Sequence, residues 1–226
     1  MSSIRLKKIC DLVDDNSIVA DIGTDHGIIP IELSKKLIAK KIIATDISKN
    51  SLEKLEQKLL YNSSITNIET RVSDGLDCLS EYEVDTIIIS GMGGILIKEI
   101  LEKNIHIAKT ANCLILSPNN SLVVLREFLY NNNFVVDNEV DVIENKKYYQ
   151  IIKVKRGKDF YNNDTELLYG RLLLKNKSEN LKLYLENELN KYNTIIDKIK
   201  IKSNSLERIN EINKVVNEIR GILNDF

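Results

Sequence analysis

Five short apolar runs, Ile18 to Asp21, Ile42 to Asp46, Ile68 to Val72, Thr86 to Ser90 and Cys113 to Leu116, each stop at a polar or glycine-rich loop. They are short and rich in Ile and Val, the pattern of parallel strands covered on both faces. Helix-like segments over about 28–38, 49–61, 94–103 and 121–132 lie between or after them. Such alternation predicts an α/β fold built on an open, doubly wound sheet. Two further strands are expected at Phe134 to Glu139 and Tyr148 to Val154, which brings the sheet to about seven. Only Val140 to Lys147 separates that last pair, too little chain for a helical crossover, so the two should be antiparallel.

A chain of 226 residues, 43% apolar and 29% charged, can bury a core without disulfides or metals. Its three cysteines, Cys10, Cys78 and Cys113, are odd in number and widely spaced, and neither a disulfide framework nor a zinc ribbon follows from them. His26 and His106 stand far apart and suggest no metal cluster, so no metal is expected. No run nears the roughly 18 apolar residues of a membrane helix, and the charged start lacks the apolar core of a secretory signal. The expectation is a cytoplasmic protein with no membrane partner.

Beyond Gly157 the composition changes. Leu181, Leu185, Leu189, Tyr192, Ile196 and Ile199 recur at helical spacing, as do Leu206, Ile209, Ile212, Val216, Ile219 and Leu223. Two long helices joined around Lys202-Ser203-Asn204-Ser205 would form a coiled-coil hairpin. The expected division is 1–157 for the sheet domain and 158–226 for the hairpin. From Lys153 onward there are 15 Lys and Arg against 11 Asp and Glu, whereas the net charge of the whole chain is −1. From composition alone a solvated coiled-coil face is the readier explanation of this bias. The asymmetry nevertheless makes Lys153-Val154-Lys155-Arg156-Gly157-Lys158 the better candidate for a polyanion contact.

The loops at the carboxyl ends of the strands should share one rim, where open α/β sheets bind ligands. They carry Asp21, Ile22, Gly23, Thr24, Asp25 and His26; then Asp46 and Ile47; then Asp74 and Gly75; then Gly91-Met92-Gly93-Gly94; then Pro118-Asn119-Asn120. The first loop lacks Gly-x-Gly-x-x-Gly and sets carboxylates where a pyrophosphate would approach backbone amides. A phosphate-free cofactor with a positive centre, such as S-adenosylmethionine, is the better electrostatic match. Asp21 and the backbone near Gly23 would then face its methionine end, Asp46 its ribose hydroxyls and Asp74 its adenine amine. Each residue also has a plain structural reading: an Asp at a strand end is often a helix cap, glycines allow close packing, and His26 could merely buttress its loop.

In order along the chain, Ser3-Ile4-Arg5-Leu6, Asp21 to His26 with Pro30 beyond, Asp46-Ile47, Asp74-Gly75-Leu76, Gly91 to Gly94, Pro118-Asn119, Tyr148-Tyr149 and a terminal hairpin resemble the bacterial tRNA (adenine-22, N1)-methyltransferase family over essentially the full length. Departures are Gln150 where that family usually has Glu, Arg171 where it often has Pro, and Gly27 to Ile29 in place of an Ala-Tyr-Leu type stretch. The resemblance implies a Rossmann-like class I methyltransferase using S-adenosylmethionine, with Ile22, Thr24, Ile47, Gly75, Gly91 and Met92 completing the cofactor site. It also implies a tRNA partner engaged at its D-loop region, with the hairpin helping to hold it; the expected state is a monomer.

On that footing Asp25, His26 and Asn119 are the candidate catalytic residues, by loop position. Asp25 would face the base amino group, Asn119 would fix the base edge, and His26 would orient Asp25 or take a later proton. Arg5, Pro118, Tyr149, Lys155 and Arg156 are the candidate RNA contacts, with Tyr148 or Tyr149 stacking on the base, although strand aromatics are more often core. Two rivals stay open: a methyltransferase of small molecules or proteins whose hairpin only oligomerises, and a binding protein that turns nothing over.

Overall fold

The computed structural model describes residues 3–158, 160–202 and 205–226. The chain divides into two compact units, Met1–Gly170 and Arg171–Phe226. In the first unit the elements run α1 (Ile4–Asp11), β1 (Ser17–Ile22), α2 (Ile28–Lys35), β2 (Ala39–Asp46), α3 (Lys49–Leu60), β3 (Ile68–Val72) and β4 (Thr86–Ser90). There follow α4 (Gly94–Lys103), α5 (Ile105–Ala108), β5 (Cys113–Ser117), α6 (Leu122–Asn131), β6 (Phe134–Glu144), β7 (Lys147–Arg156) and α7 (Asp164–Tyr169).

All seven strands join one sheet in the order β3-β2-β1-β4-β5-β7-β6. The first five are parallel, and β7 runs antiparallel to both β5 and β6. The doubly wound sheet and the antiparallel final pair are therefore as expected. Because β1 pairs with β2 on one side and with β4 on the other, the strand order reverses between β1 and β4. A crevice opens at such a switch point, outside the carboxyl ends of the strands. The interior strand residues Val19, Ala20, Ile42, Ile43, Ile87 to Ile89 and Leu114 to Leu116 are fully buried. On one face Ile9, Leu12 and Val13 at the end of α1, and Ile29 and Leu33 of α2, pack against Ile42, Ile88, Ile115 and Ile151. Each such side chain contributes about 1.5–3 kcal/mol through burial.

Element ends differ from expectation where single residues leave helical geometry. The helix expected over 28–38 stops at Lys35, because Leu37 takes a left-handed φ of 56° and is exposed. The last two strands are longer than expected, and the turn between them is only Asn145-Lys146, at φ 50° and 63°. Two left-handed residues make the tight mirror-image turn that fits strand twist. One extra residue at Asp137 breaks the register between Val136 and Asn138, and Lys155 pairs with its carboxylate at 3.0 Å. Helix α1 was not foreseen; Ser3 caps it by accepting from the Leu6 amide.

The second unit holds α8 (Arg171–Lys175), α9 (Glu179–Lys202) and α10 (Leu206–Asn224). Ile196, Ile209 and Val216 form its core with Leu189, Tyr192, Ile199 and Ile212 around them, as the periodicity predicts. Leu206 differs: it is the first residue of α10 and lies 69% exposed, before the helix has a neighbour to pack on. Of the expected joining residues, Ser203 and Asn204 lie outside the described residues.

Candidate active site

At the end of β1, Asp21 is 2% exposed and accepts a hydrogen bond of 2.6 Å from the Thr24 hydroxyl. Burial pushes its carboxyl up to about 7; the Thr24 bond opposes the shift and the Asp46 charge adds to it. A positive group docked beside Asp21 would favour the ionised form again. Gly23, at φ +70°, turns the chain directly against the Met92 side chain, which leaves no room for a Cβ. The Thr24 amide donates to the Thr45 carbonyl at 2.8 Å, tying the loop to β2. Ile22 is buried, so its side chain serves the core and only its backbone reaches the rim.

Asp25 and His26 form the single turn that follows, at φ 28° and 33°, conformations that side-chain-bearing residues rarely adopt. Gly27, at φ +66°, completes the turn against Leu55. The His26 carbonyl accepts from Lys58 at 2.7 Å, and His26 Nε2 lies 3.4 Å from Asp25 Oδ1. Both side chains are exposed, at 49% and 80% respectively. Strain of this kind costs on the order of 1–3 kcal/mol per residue and clusters at functional sites.

Asp46 at the end of β2 is oriented by backbone amides: Ser48 donates to Oδ1 at 2.7 Å and Asp25 to Oδ2 at 3.4 Å. Each oxygen retains a further lone pair for ligand hydroxyls. Ile47 beside it is 72% exposed, an apolar surface on the rim. Asp74 departs from the simple expectation. Its Oδ2 is paired with Lys103 Nζ at 2.9 Å, and that ammonium also binds Asp77 at 2.7 Å, so the carboxylate faces an adenine amine with only part of its accepting capacity. Gly75, at φ +61°, turns this loop against Ile100.

The loops after β4 and β5 are zipped together. Gly91 donates to the Ser117 carbonyl at 3.2 Å, Asn119 to the Met92 carbonyl at 2.8 Å, and Gly94 to the Asn120 carbonyl at 3.0 Å. A Cβ on Gly94 would meet the Ser121 carbonyl oxygen at 2.5 Å, which is why glycine stands there. The Asn119 side chain is held at both ends, donating to the Gly91 carbonyl at 2.5 Å and accepting from Arg5 at 2.9 Å. The Arg5 guanidinium carbon sits 4.5 Å from the centre of the Tyr149 ring, a cation–π contact. Arg5, Asp21, Gly23, Thr24, Asp25 and Gly91 line one cleft between the two halves of the rim.

Not every candidate comes to this cleft. Pro118 is buried, so it shapes its turn and offers no surface to a partner. Lys155 and Arg156 lie at the opposite end of the sheet, because β7 runs antiparallel to β5 and pairs Val154 with Leu114 near the start of that strand. About 20 Å of strand separates them from Tyr149. Lys153 drops out of the basic approach altogether: it is 6% exposed and bound to the Leu12 carbonyl and the Asp14 carboxylate. Sequence reasoning missed Lys103, and Glu144, which binds the start of α1. It also missed the fully buried Arg126, which donates to Glu139 at 2.8 Å, to Gln150 at 2.6 Å and to the Leu167 carbonyl at 2.8 Å. The apolar helix around Arg126 was its only sequence signal. Among the described residues no group of three or more His, Cys, Asp or Glu could hold a metal ion.

The switch-point crevice, the buried carboxylate ending β1 and the ribose-type acceptor ending β2 all agree with what this chain is similar to. Residues 2–152 match the family model described as a methyltransferase domain. The tRNA (adenine(22)-N(1))-methyltransferase of Bacillus subtilis is 30% identical over 181 residues, 78% of this chain and 76% of that protein. The Streptococcus pneumoniae protein Sp1610 in complex with S-adenosyl-L-methionine superposes with a TM-score of 0.87 at 27% identity, covering 99% of this chain and 100% of that one. The Mycoplasma capricolum enzyme TrmK in complex with S-adenosyl-homocysteine gives 0.83 at 27% identity, covering 100% and 99%. With a Rossmann-like sheet, a shared domain model and a relative 30% identical over 78% of the chain, the chain belongs to the tRNA (adenine(22)-N(1))-methyltransferase family.

Proposed function

We propose that this protein methylates N1 of adenine 22 in tRNA with S-adenosylmethionine as donor. The observation that carries the reading is the buried Asp21 carboxylate at the switch point, beside the outward-facing Asp25 and the fixed Asn119 amide. When bound, the cofactor supplies an electrophilic methyl group, and N1 of neutral adenine has a lone pair that takes it without prior loss of a proton. The chain's own residues then orient two partners and stabilise the charge arriving on the base.

Asp21 and the turn at Gly23 fit the cationic amino-acid end of the cofactor, and Asp46 fits its ribose. Ile22, Thr24, Ile47, Asp74 and Gly75 complete that side of the cleft, and Gly91 and Met92 meet the cofactor from the facing loop. Asp25 accepts from the adenine amino group and its negative charge favours the cation that forms. Asn119, with a second lone pair and a second hydrogen left on its carboxamide, fixes the base edge, and Tyr149 gives the extruded ring a stacking surface. His26 holds Asp25 in place. The tRNA is engaged at its D-loop region by one copy of the chain, with the hairpin and the far-rim cations Lys155 and Arg156 supplying phosphate contacts.

The deciding experiment incubates purified protein with labelled S-adenosylmethionine and unmodified tRNA, followed by nucleoside mass spectrometry. The expected product is 1-methyladenosine mapped to position 22. Label that binds and is never transferred, or that appears on another atom, overturns the reading.

A further inference from the structure

Among the described residues Arg5 is the one cation in the cleft lining, and three separate elements converge on it. It comes from α1, donates to Asn119 in the loop after β5 at 2.9 Å, and covers the Tyr149 ring of β7 at 4.5 Å. Its Nε is buried without a hydrogen-bond partner. A buried donor left unpaired is costly, so contacts on the rest of the guanidinium must hold it in this position.

What sets Arg5 there lies one residue back. Glu144, the last residue of β6, accepts from the Ser3 hydroxyl at 2.9 Å and from the Ile4 amide at 2.5 Å. A carboxylate at the start of a helix meets unpaired amides and the positive end of the helix dipole. The end of β6 thereby fixes the start of α1, and so the root of the Arg5 side chain.

We propose that Arg5 is a positioning residue that locks the Asn119 carboxamide and the Tyr149 ring in register for the target base, with Glu144 as its anchor. The proposal rests on the reading above that Asn119 and Tyr149 meet that base. Asn119 then keeps one orientation, its oxygen toward Arg5 and its nitrogen toward the Gly91 carbonyl. This role needs a planar group that stacks and donates at once, which Arg provides and Lys does not. A phosphate contact, by contrast, needs only positive charge.

The difference makes the test. Arg5→Lys, Arg5→Ala and Glu144→Ala are compared with the parent chain for kcat, for tRNA affinity as a function of salt, and for the Asn119 side-chain amide signal by NMR. Positioning predicts that Arg5→Lys lowers kcat about as much as Arg5→Ala, on the order of 10–100-fold, that the salt slope is unchanged, and that the Asn119 signal shifts or broadens in both. Glu144→Ala should reproduce the NMR change and a several-fold loss of kcat without touching the site. If Arg5→Lys keeps parental kcat while Arg5→Ala lowers the salt slope by about 0.7–0.9, Arg5 is a phosphate contact and the inference falls. An Asn119 signal indifferent to Arg5 overturns it too. The NMR comparison needs no turnover, so an inactive parent chain refutes the functional reading while the positioning claim is still decided.

Discussion

The two halves of the cleft rim are built from different chemistry. On the β1–β2 side the groups are carboxylates: Asp21 held by a hydroxyl, Asp46 by backbone amides, and Asp25 beside His26. On the β4–β5–β7 side they are an amide, a ring and a guanidinium, Asn119, Tyr149 and Arg5, bound to one another. An acidic half suits a cation; a half built of flat groups, the Arg5 guanidinium among them, suits a flat base. The contrast teaches that one crevice can present two partners to each other by dividing charge from shape along the line where the strand order reverses.

The comparison breaks most visibly if a change on one half disturbs the partner of the other. Asp46→Ala should weaken S-adenosylhomocysteine binding by about 100-fold, the loss of two hydrogen bonds to a charged acceptor. Calorimetric titration of this variant alongside Asn119→Ala reads the effect, and Asn119→Ala should bind the cofactor normally. In single-turnover assays Asn119→Ala should instead lower the methylation rate by roughly 100-fold, as expected when a fixed polar group facing developing charge is removed.

Asp21 sharpens the comparison through pH. Its carboxyl sits at about 7 in the fold against an ordinary value of 3.8, because burial disfavours the charge. The folded chain thus keeps a proton that the unfolded chain releases, so this contribution to stability is full below pH 4 and is lost as pH rises toward 7. Asp21→Asn should therefore make the cofactor-free protein more stable at pH 8, by on the order of 2 kcal/mol, with no gain near pH 4. Urea unfolding at the two pH values reads the difference. The same variant should bind the cofactor less well, since the neutral amide gives a cation little.

The smallest effect belongs to His26. With both partners of the His26–Asp25 pair largely in water, His26→Ala should change turnover by less than about fivefold. A larger loss would make His26 a participant in the reaction rather than a brace for Asp25.

Much of the fold was legible because it is written locally. Apolar runs bounded by Asp, Gly and Pro marked the strands and the rim loops, and the short link before Tyr148 marked the antiparallel pair. What escaped depends on residues far apart in sequence. The partner of Ser3 and Ile4 is Glu144, about 140 residues on, and nothing near the start of α1 announces it. Asp74 read as a free acceptor because its partner Lys103 lies far along the chain, at the end of α4. Lys155 and Arg156 read as RNA contacts because they belong to a basic run, yet an extended strand carries them from Tyr149 to the far rim. Proximity along a strand is distance in space.

The ribbon of β6 and β7 continues past the end of β5 and forms a wall against which Arg5, a lining residue of the cleft, packs. Along it Tyr149 meets Arg5, while the residues on either side, Tyr148 and Gln150, belong to a network with Asp141 and Arg126. The wall therefore has a reading frame of two. The tight turn at Asn145-Lys146 and the extra residue at Asp137 set that frame, much as start and shift signals set a message. Deleting one residue from the turn would do more than shorten a loop: it would put the wrong letter against Arg5.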